Sequence, residues 1–216
     1  MPILDLQESA LNDYAMCYWD GANWNIETDG VAAEVGYEDA VRSKLGYRTM
    51  FRNVTIPKGA IITSSYISVF SLMNTAWFTV NSKIIGNLEV NPPQVLTIAN
   101  YQVRRGTSVG GPDDSLRTVS EVLWDNVVEF VTNTWYDSPD ISPVIQELVN
   151  QALWASGGII ALFWDDHEAR GTQAGLKLRV PATWGWATHT DGMKLHLEWF
   201  VNAGNIPLQI RKVGPH

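Results

Sequence analysis

"RTMFRNVTIPKGAIITSSYISVF", residues 48–70, contains two strand-like runs joined by a turn. In the second run, Ile67 and Val69 alternate with aromatic or polar residues, which is the two-residue period of a β-strand. Between the runs, Pro57 fixes φ and Gly59 can adopt a positive φ, so the chain can reverse tightly there. The stretch therefore predicts two strands joined by a turn. The residues expected on the side opposite Ile67 and Val69 are Tyr66, Ser68 and Phe70.

Turn-forming Gly and Pro residues recur along the chain and separate short runs rich in β-branched and aromatic residues. Repeated short strands with turn signals between them are typical of an all-β sandwich or barrel. We find no linker or internal repeat and expect one domain, residues 1–200, followed by a tail, residues 201–216. The predicted strands are 15–19, 47–55, 61–72, 78–88, 120–123, 159–163, 176–180 and 194–199.

One segment, "SPDISPVIQELVNQALWASGG" (138–158), has the period of an amphipathic helix. Ser142 can cap its free N–H groups, Pro143 suits the first helical position, and Gly157 with Gly158 is expected to end it. Its apolar face must pack on something, so we predict that it covers one open end of the sandwich. The two ridges of that face are Val144, Leu148 and Ala152, and Ile145, Val149 and Leu153.

Composition restricts the class of partner. The 216 residues are 45% hydrophobic, which is enough for a core, and the net charge is −8 with no Lys or Arg before Arg42. This balance argues against a nucleic-acid partner. Cys17 is alone, so it forms no internal disulfide and is expected to be a small buried side chain. The N-terminus lacks the basic and apolar regions of a secretory signal, and no apolar run is long enough to predict membrane insertion.

Three separated stretches carry a resemblance to a known family. These are the strand–turn–strand segment 48–70, the helix–strand segment "SPDISPVIQELVNQALWASGGIIALFWDD" (138–166) and the closing strand "MKLHLEW" (193–199). Together they resemble the DNRLRE-type β-sandwich domains of bacterial surface proteins and tailed-phage virion proteins. The resemblance implies a jelly-roll-like antiparallel sandwich, similar to carbohydrate-binding modules and without catalysis of its own. Fold alone does not fix function.

The charged run "FWDDHEARG" (163–171) is a candidate acid–base, metal or surface site. Neighbouring side chains in an extended chain alternate sides, so these carboxylates diverge instead of facing one substrate. Cys17 and the scattered His residues lack the spacing of a zinc site. We therefore predict a solvated loop. A structural calcium ion, held by Asp165, Asp166 and Glu168, is the alternative, because Ca²⁺ takes carboxylates from loops.

Several tryptophans are candidates for ligand binding. Trp184 and Trp186 in "TWGWATHTDG", and Trp19 and Trp24 in the hairpin "YWDGANW", can stack on sugar rings or contact a partner protein. The alternative is that they pack under their own loops. The residues Val127, Phe130 and Trp135 are instead expected in the core.

The tail and the absence of a signal peptide shape the functional prediction. An apolar tail usually docks on its own domain or on a neighbour, and the apolar residues of this one are Ile206, Leu208, Ile210 and Val213. We predict a non-enzymatic structural protein of a tailed-phage virion, as a head decoration or a tail-associated component, made in the host cytoplasm. It binds other virion proteins or its own copies and needs no cofactor. The alternative is a carbohydrate-binding module or receptor-binding protein that recognises a surface glycan.

Overall fold

The structure, a computed structural model, describes residues 1–75, 79–187 and 189–202. These residues form an all-β sandwich in which two antiparallel sheets enclose the main core, together with two short helices. The predicted fold class is confirmed, and each of the eight predicted strands overlaps an observed one, with different bounds. No helix in these ranges is both long and apolar enough to cross a membrane.

The smaller sheet has four strands in the order β1–β12–β6–β9. Its first and last strands in sequence are neighbours, because β1 pairs with β12. The alternation predicted around Ile67 and Val69 is confirmed, since these two side chains are fully buried while Tyr66, Ser68 and Phe70 are partly exposed. The bounds of the four strands are Ile3–Gln7 (β1), Ile61–Phe70 (β6), Trp135–Asp137 (β9) and Lys194–Phe200 (β12).

The larger sheet has the order β11–β4–β5–β10–β7–β8, and β5 also pairs with β2, which carries β3. Its central strands are almost completely buried because they are covered on both faces. The bounds are Tyr14–Trp19 (β2), Trp24–Glu27 (β3), Val35–Tyr37 (β4), Ser43–Val54 (β5), Val80–Asn87 (β7), Arg117–Val127 (β8), Gly158–Asp165 (β10) and Lys177–Arg179 (β11).

The predicted helix, α2 (Ser142–Val149), packs against β6 of the small sheet and against β7 and β8 of the large one. Two details of the prediction are wrong. Ile141, not Ser142, is the N-cap residue, and the carboxylate of Asp140 accepts a hydrogen bond from the Ser142 N–H at 3.0 Å. The helix also ends well before Gly157.

The early end of α2 has a packing cause. Trp154 turns into the core, where it is 4% exposed and its Nε1–H donates to the carbonyl oxygen of Ile56 at 3.1 Å. Burial of a large aromatic ring is favourable. The chain leaves the helical path after Val149, and the Trp154 ring enters the core. Ala152 and Leu153, predicted on the apolar face, are consequently exposed.

A second helix, α1 (Ile98–Arg105), was not predicted. Thr97 caps it by accepting from the Asn100 N–H, and Gly106 ends it with a positive φ of 92°. The helix covers the outer face of the large sheet over a small apolar cluster that includes Cys17, which is buried as expected. Its own buried residues are only Tyr101 and Arg105, so its sequence shows no clear apolar stripe.

Candidate functional site

The outer face of the small sheet carries the side chains that β1, β12, β6 and β9 turn away from the core. Antiparallel pairing places residues of different strands side by side in rows across this face. The rows are Asp5–His196–Tyr66, Gln7–Lys194–Ser68–Asp137, and Phe70–Trp135.

A groove of about 380 Å³ runs along the first two rows. The small Ser68 lies between the aromatic residues Tyr66 and Phe70 along β6, which leaves a depression in the face. Its volume falls within the range of small-molecule sites, about 300–1,000 Å³. The lining residues are Asp5, Leu6, Gln7, Tyr66, Ser68, Lys194 and His196. We refer to them as the sheet-face groove.

His196 is held firmly in the first row. Its ring stacks on the Tyr66 ring with centroids 4.6 Å apart. Nδ1 lies 2.6 Å from a carboxylate oxygen of Asp5, and Nε2 lies 3.3 Å from one of Glu198. Partial burial disfavours the charged imidazole, but the hydrogen bonds to Asp5 and Glu198 outweigh it and raise the pKa of His196. Both ring nitrogens are therefore occupied, and the ring is a fixed wall of the groove.

The second row holds a lysine against an aromatic ring. The Lys194 ammonium lies 3.8 Å from the centroid of the Trp135 ring, a close cation–π contact. Trp135 also packs against Phe70, with centroids 5.3 Å apart. The prediction that Trp135 lies in the core is wrong. In the three-residue strand β9, Tyr136 points inward and stacks on Phe130, so its neighbours point outward.

The loop that carries Trp184 and Trp186 borders one end of the sheet-face groove. The Gln7 side-chain N–H donates to the carbonyl oxygen of His189 at 3.2 Å. The His189 ring in turn stacks on Trp184 with centroids 4.0 Å apart, so one face of Trp184 is already covered. Trp186 is half-buried, and its backbone N–H donates to the carbonyl oxygen of Thr183.

Glu8 anchors this loop from inside the protein. One carboxylate oxygen accepts from the Thr49 hydroxyl at 2.5 Å, and the other accepts from the Trp184 N–H at 3.0 Å. Burial raises the pKa of Glu8 to about 7, although these hydrogen bonds partly oppose the shift. Near neutral pH the carboxyl group therefore changes charge inside the protein.

We expect Glu8→Gln to increase stability at pH 8 but not at pH 5. A folded-state pKa above the ordinary value of 4.5 favours folding below pH 4.5, and this contribution is lost as pH rises through 7. The loss corresponds to about 3 kcal/mol. Glutamine carries no charge, and its amide oxygen can accept from the Trp184 backbone N–H while its amide N–H donates to the Thr49 hydroxyl oxygen, which reverses that hydrogen bond. Thermal unfolding at both pH values tests this, with Asp29→Asn on the surface as the control. An equal effect of Glu8→Gln at pH 5 and pH 8 would contradict it.

The tryptophans of the other predicted pair lie elsewhere. Trp19 and Trp24 face each other across the β2–β3 hairpin, with ring centroids 5.5 Å apart. The hairpin belongs to the large sheet, and Trp24 packs edge-on against His167 at 5.2 Å. The structure thus places the four candidate tryptophans in two separate regions. Only the loop with Trp184 and Trp186 adjoins the sheet-face groove.

The predicted solvated loop at residues 165–168 is wrong for its first three residues. Asp165, Asp166 and His167 are at most 1% exposed. Two oxygens of Asp165 accept from the Arg105 guanidinium at 2.6 and 2.8 Å. Burial opposes the carboxylate charge, but Arg105 outweighs it and lowers the pKa of Asp165 to about 2. The segment is an internal anchor for α1, because Arg105 belongs to that helix.

His167 completes the anchor in its neutral form. Burial lowers its pKa to about 4. Its Nδ1 lies 2.6 Å from the carbonyl oxygen of Lys44, which can only accept, so Nδ1 carries the proton. Nε2 then accepts from the Tyr101 hydroxyl at 2.9 Å. Strand β5, strand β10 and helix α1 are thereby joined through one polar cluster.

The three carboxylates considered for calcium bind protein donors instead of converging on one point. Asp166 accepts from the backbone N–H of Arg170 and Gly171 and from Gln173, and Glu168 pairs with Lys83 at 2.7 Å. In the part of the chain that the structure describes, no group of three or more His, Cys, Asp or Glu side chains is arranged for a metal ion.

The tail residues Ile206, Leu208, Ile210 and Val213 lie outside the described residues, so their assembly role stays a prediction. No protein-family model and no curated protein matches the chain. The resemblance to DNRLRE-type domains also stays a prediction. The chain is an antiparallel β-sandwich with a ligand-sized groove on its smaller sheet.

Proposed function

We propose that this protein is a non-catalytic binding module that recognises a saccharide in the sheet-face groove. The observation that carries the proposal is the groove itself, where the Tyr66 and His196 rings lie beside the polar groups of Asp5, Ser68 and Lys194. Recognition of a surface glycan in this way is consistent with either a carbohydrate-binding module or a receptor-binding protein.

The chemistry of the groove suits a sugar. Aromatic rings contact the apolar C–H faces of a pyranose, and a few placed polar groups bind its hydroxyls. Here the carboxylate of Asp5 can accept hydrogen bonds, the ammonium of Lys194 can donate them, and the Ser68 hydroxyl lies beside Lys194 in the groove lining. A purely apolar ligand would displace water from the Asp5 carboxylate and the Lys194 ammonium without offering either of them a hydrogen bond.

The same geometry argues against catalysis in the groove. A general acid or base must have a free atom that reaches the substrate. Both ring nitrogens of His196 are engaged by carboxylates, and the Ser68 hydroxyl donates to Asp137. Asp165 and Asp166, the other candidates, are buried behind their own hydrogen bonds.

Tyr66→Ala is expected to weaken saccharide binding about tenfold or more, because an aromatic wall of the groove is removed. The measurement is a glycan-array screen followed by calorimetric titration of the tightest hit. Trp24→Ala, which removes an aromatic ring from the other sheet, is the matched control and should leave the affinity unchanged. The proposal fails if no glycan binds, or if Trp24→Ala weakens binding and Tyr66→Ala does not.

A structural role in a tailed-phage virion is the second candidate. Two large apolar side chains near α2 are unusually exposed, Val119 at 90% and Leu153 at 79%. Val119 is tied to the helix, since its N–H donates to Glu147. Exposed apolar groups of this kind favour contact with another protein, here other virion proteins or copies of this chain. Detection of the chain in purified virions by mass spectrometry would support this role, and its absence from them would exclude it.

A further inference from the structure

This inference rests on the proposed function and specifies the charge of the saccharide. We infer that the saccharide is anionic, and that its carboxylate or sulfate group pairs with Lys194 in the sheet-face groove.

The acidic groups at the groove are already engaged. Asp5 and Glu198 flank the His196 ring and satisfy its two nitrogens. Asp137, at the end of the second row, accepts a hydrogen bond from the Ser68 hydroxyl. Each of these three carboxylates therefore already accepts a hydrogen bond from a neighbouring side chain.

Lys194 differs from these groups. Within the described ranges its ammonium has a cation–π contact with Trp135 and no carboxylate partner. Its strand neighbours in the row are the neutral residues Gln7 and Ser68. The ring fixes the position of the charge without neutralising it, so its N–H donors remain available to a ligand in the groove.

An anionic group on the sugar would supply the missing partner. Hydrogen bonds between an ammonium and a carboxylate or sulfate are roughly twice as strong as neutral ones. An amino sugar would instead bring a second positive charge to Lys194. The chain as a whole carries −8, so it does not attract anions at long range. Selectivity for the anion must come from this one local contact.

Matched pairs of oligosaccharides test the inference by calorimetry. Each pair contains an acid and its uncharged counterpart: glucuronate, galacturonate and mannuronate oligomers against their methyl esters, and sulfated against desulfated keratan disaccharides, which contain no uronate. We expect the tightest ligand to be an acid that binds at least tenfold better than its counterpart. The uronate and sulfate arms identify which anion is used.

Variants of Lys194 assign the preference to this residue. Lys194→Met should reduce the ratio of acid to ester affinity to about one, and Lys194→Arg should retain most of it. Lys177→Met, on strand β11 of the other sheet, should leave the ratio unchanged. If the tightest ligand is neutral, or if Lys194→Met leaves the ratio unchanged, the anionic inference is overturned and the saccharide function stands. If no member of any pair or of the glycan array binds, both fall.

Discussion

Arg105→Met will destabilise the protein by about 3–5 kcal/mol, the cost of breaking a buried ion pair by removing one partner. Arg105 and Asp165 have fully buried side chains and form two short hydrogen bonds. Without the guanidinium, the carboxylate remains in the interior with no cation to compensate it. Chemical denaturation of the wild type and the variant, analysed by linear extrapolation, measures the difference.

Two further variants separate charge from packing. Arg48→Met removes a guanidinium of similar burial, which bonds to Asn87 and the Pro93 carbonyl and has no carboxylate ion pair among the described residues. It should cost less than Arg105→Met because no charge is left alone. The double change Arg105→Met with Asp165→Leu should recover much of the loss. A loss below about 1 kcal/mol for Arg105→Met alone would contradict the anchor, since that is the range of exposed pairs.

Leu148→Asp is expected to cost several kcal/mol of unfolding free energy, on the order of 3–5, because it buries an unpaired carboxylate. Leu148 is 1% exposed on the inner side of α2 and packs onto β7 beside Gly86. A side chain at Gly86 would meet the Leu148 methyl groups at about 3 Å, so this contact has no spare room.

Leu153→Asp is the matched control for that change. The same substitution five residues later falls on a side chain that is 79% exposed, so the melting temperature should stay close to that of the wild type. Circular dichroism melts of both variants provide the comparison. Equal destabilisation by the two variants would show that α2 does not pack through Leu148.

The sandwich could be predicted because its strands follow a simple local period. In β6, Ile67 and Val69 alternate with outward residues, and in β12, Leu195 and Leu197 alternate with Lys194 and His196. This pattern identifies which side chains leave the core. It does not identify which strands are neighbours. The first strand, β1, pairs with the last strand, β12, although almost the whole chain separates them in sequence.

The sheet-face groove was missed for that reason. Asp5, Tyr66 and His196 belong to three strands that are distant in sequence, and only the pairing register brings them together. The prediction from sequence concentrated on tryptophans instead. The alternation in "MKLHLEW" was the available signal, since it marks Lys194 and His196 as outward-facing.

The charged run at residues 165–168 was misjudged because its partners are remote. Asp165 binds an arginine 60 residues away, on a helix that lacks a clear apolar stripe. A cluster of charged residues is predicted to be exposed to solvent unless residues of opposite charge can be identified as its partners. The ion pair leaves no local pattern in the sequence, and the local signals of the helix are its capping residue Thr97 and its terminating residue Gly106.

The central claim is that a saccharide binds on the outer face of the small sheet. A titration of the isotope-labelled protein with the tightest-binding saccharide, followed by amide and side-chain NMR shifts, tests it most directly. The claim predicts that the shifts concentrate at Asp5, Tyr66, Lys194 and His196, with Trp19 and Trp24 unaffected. Shifts that concentrate on the β2–β3 hairpin and leave Tyr66 and His196 unchanged would contradict it.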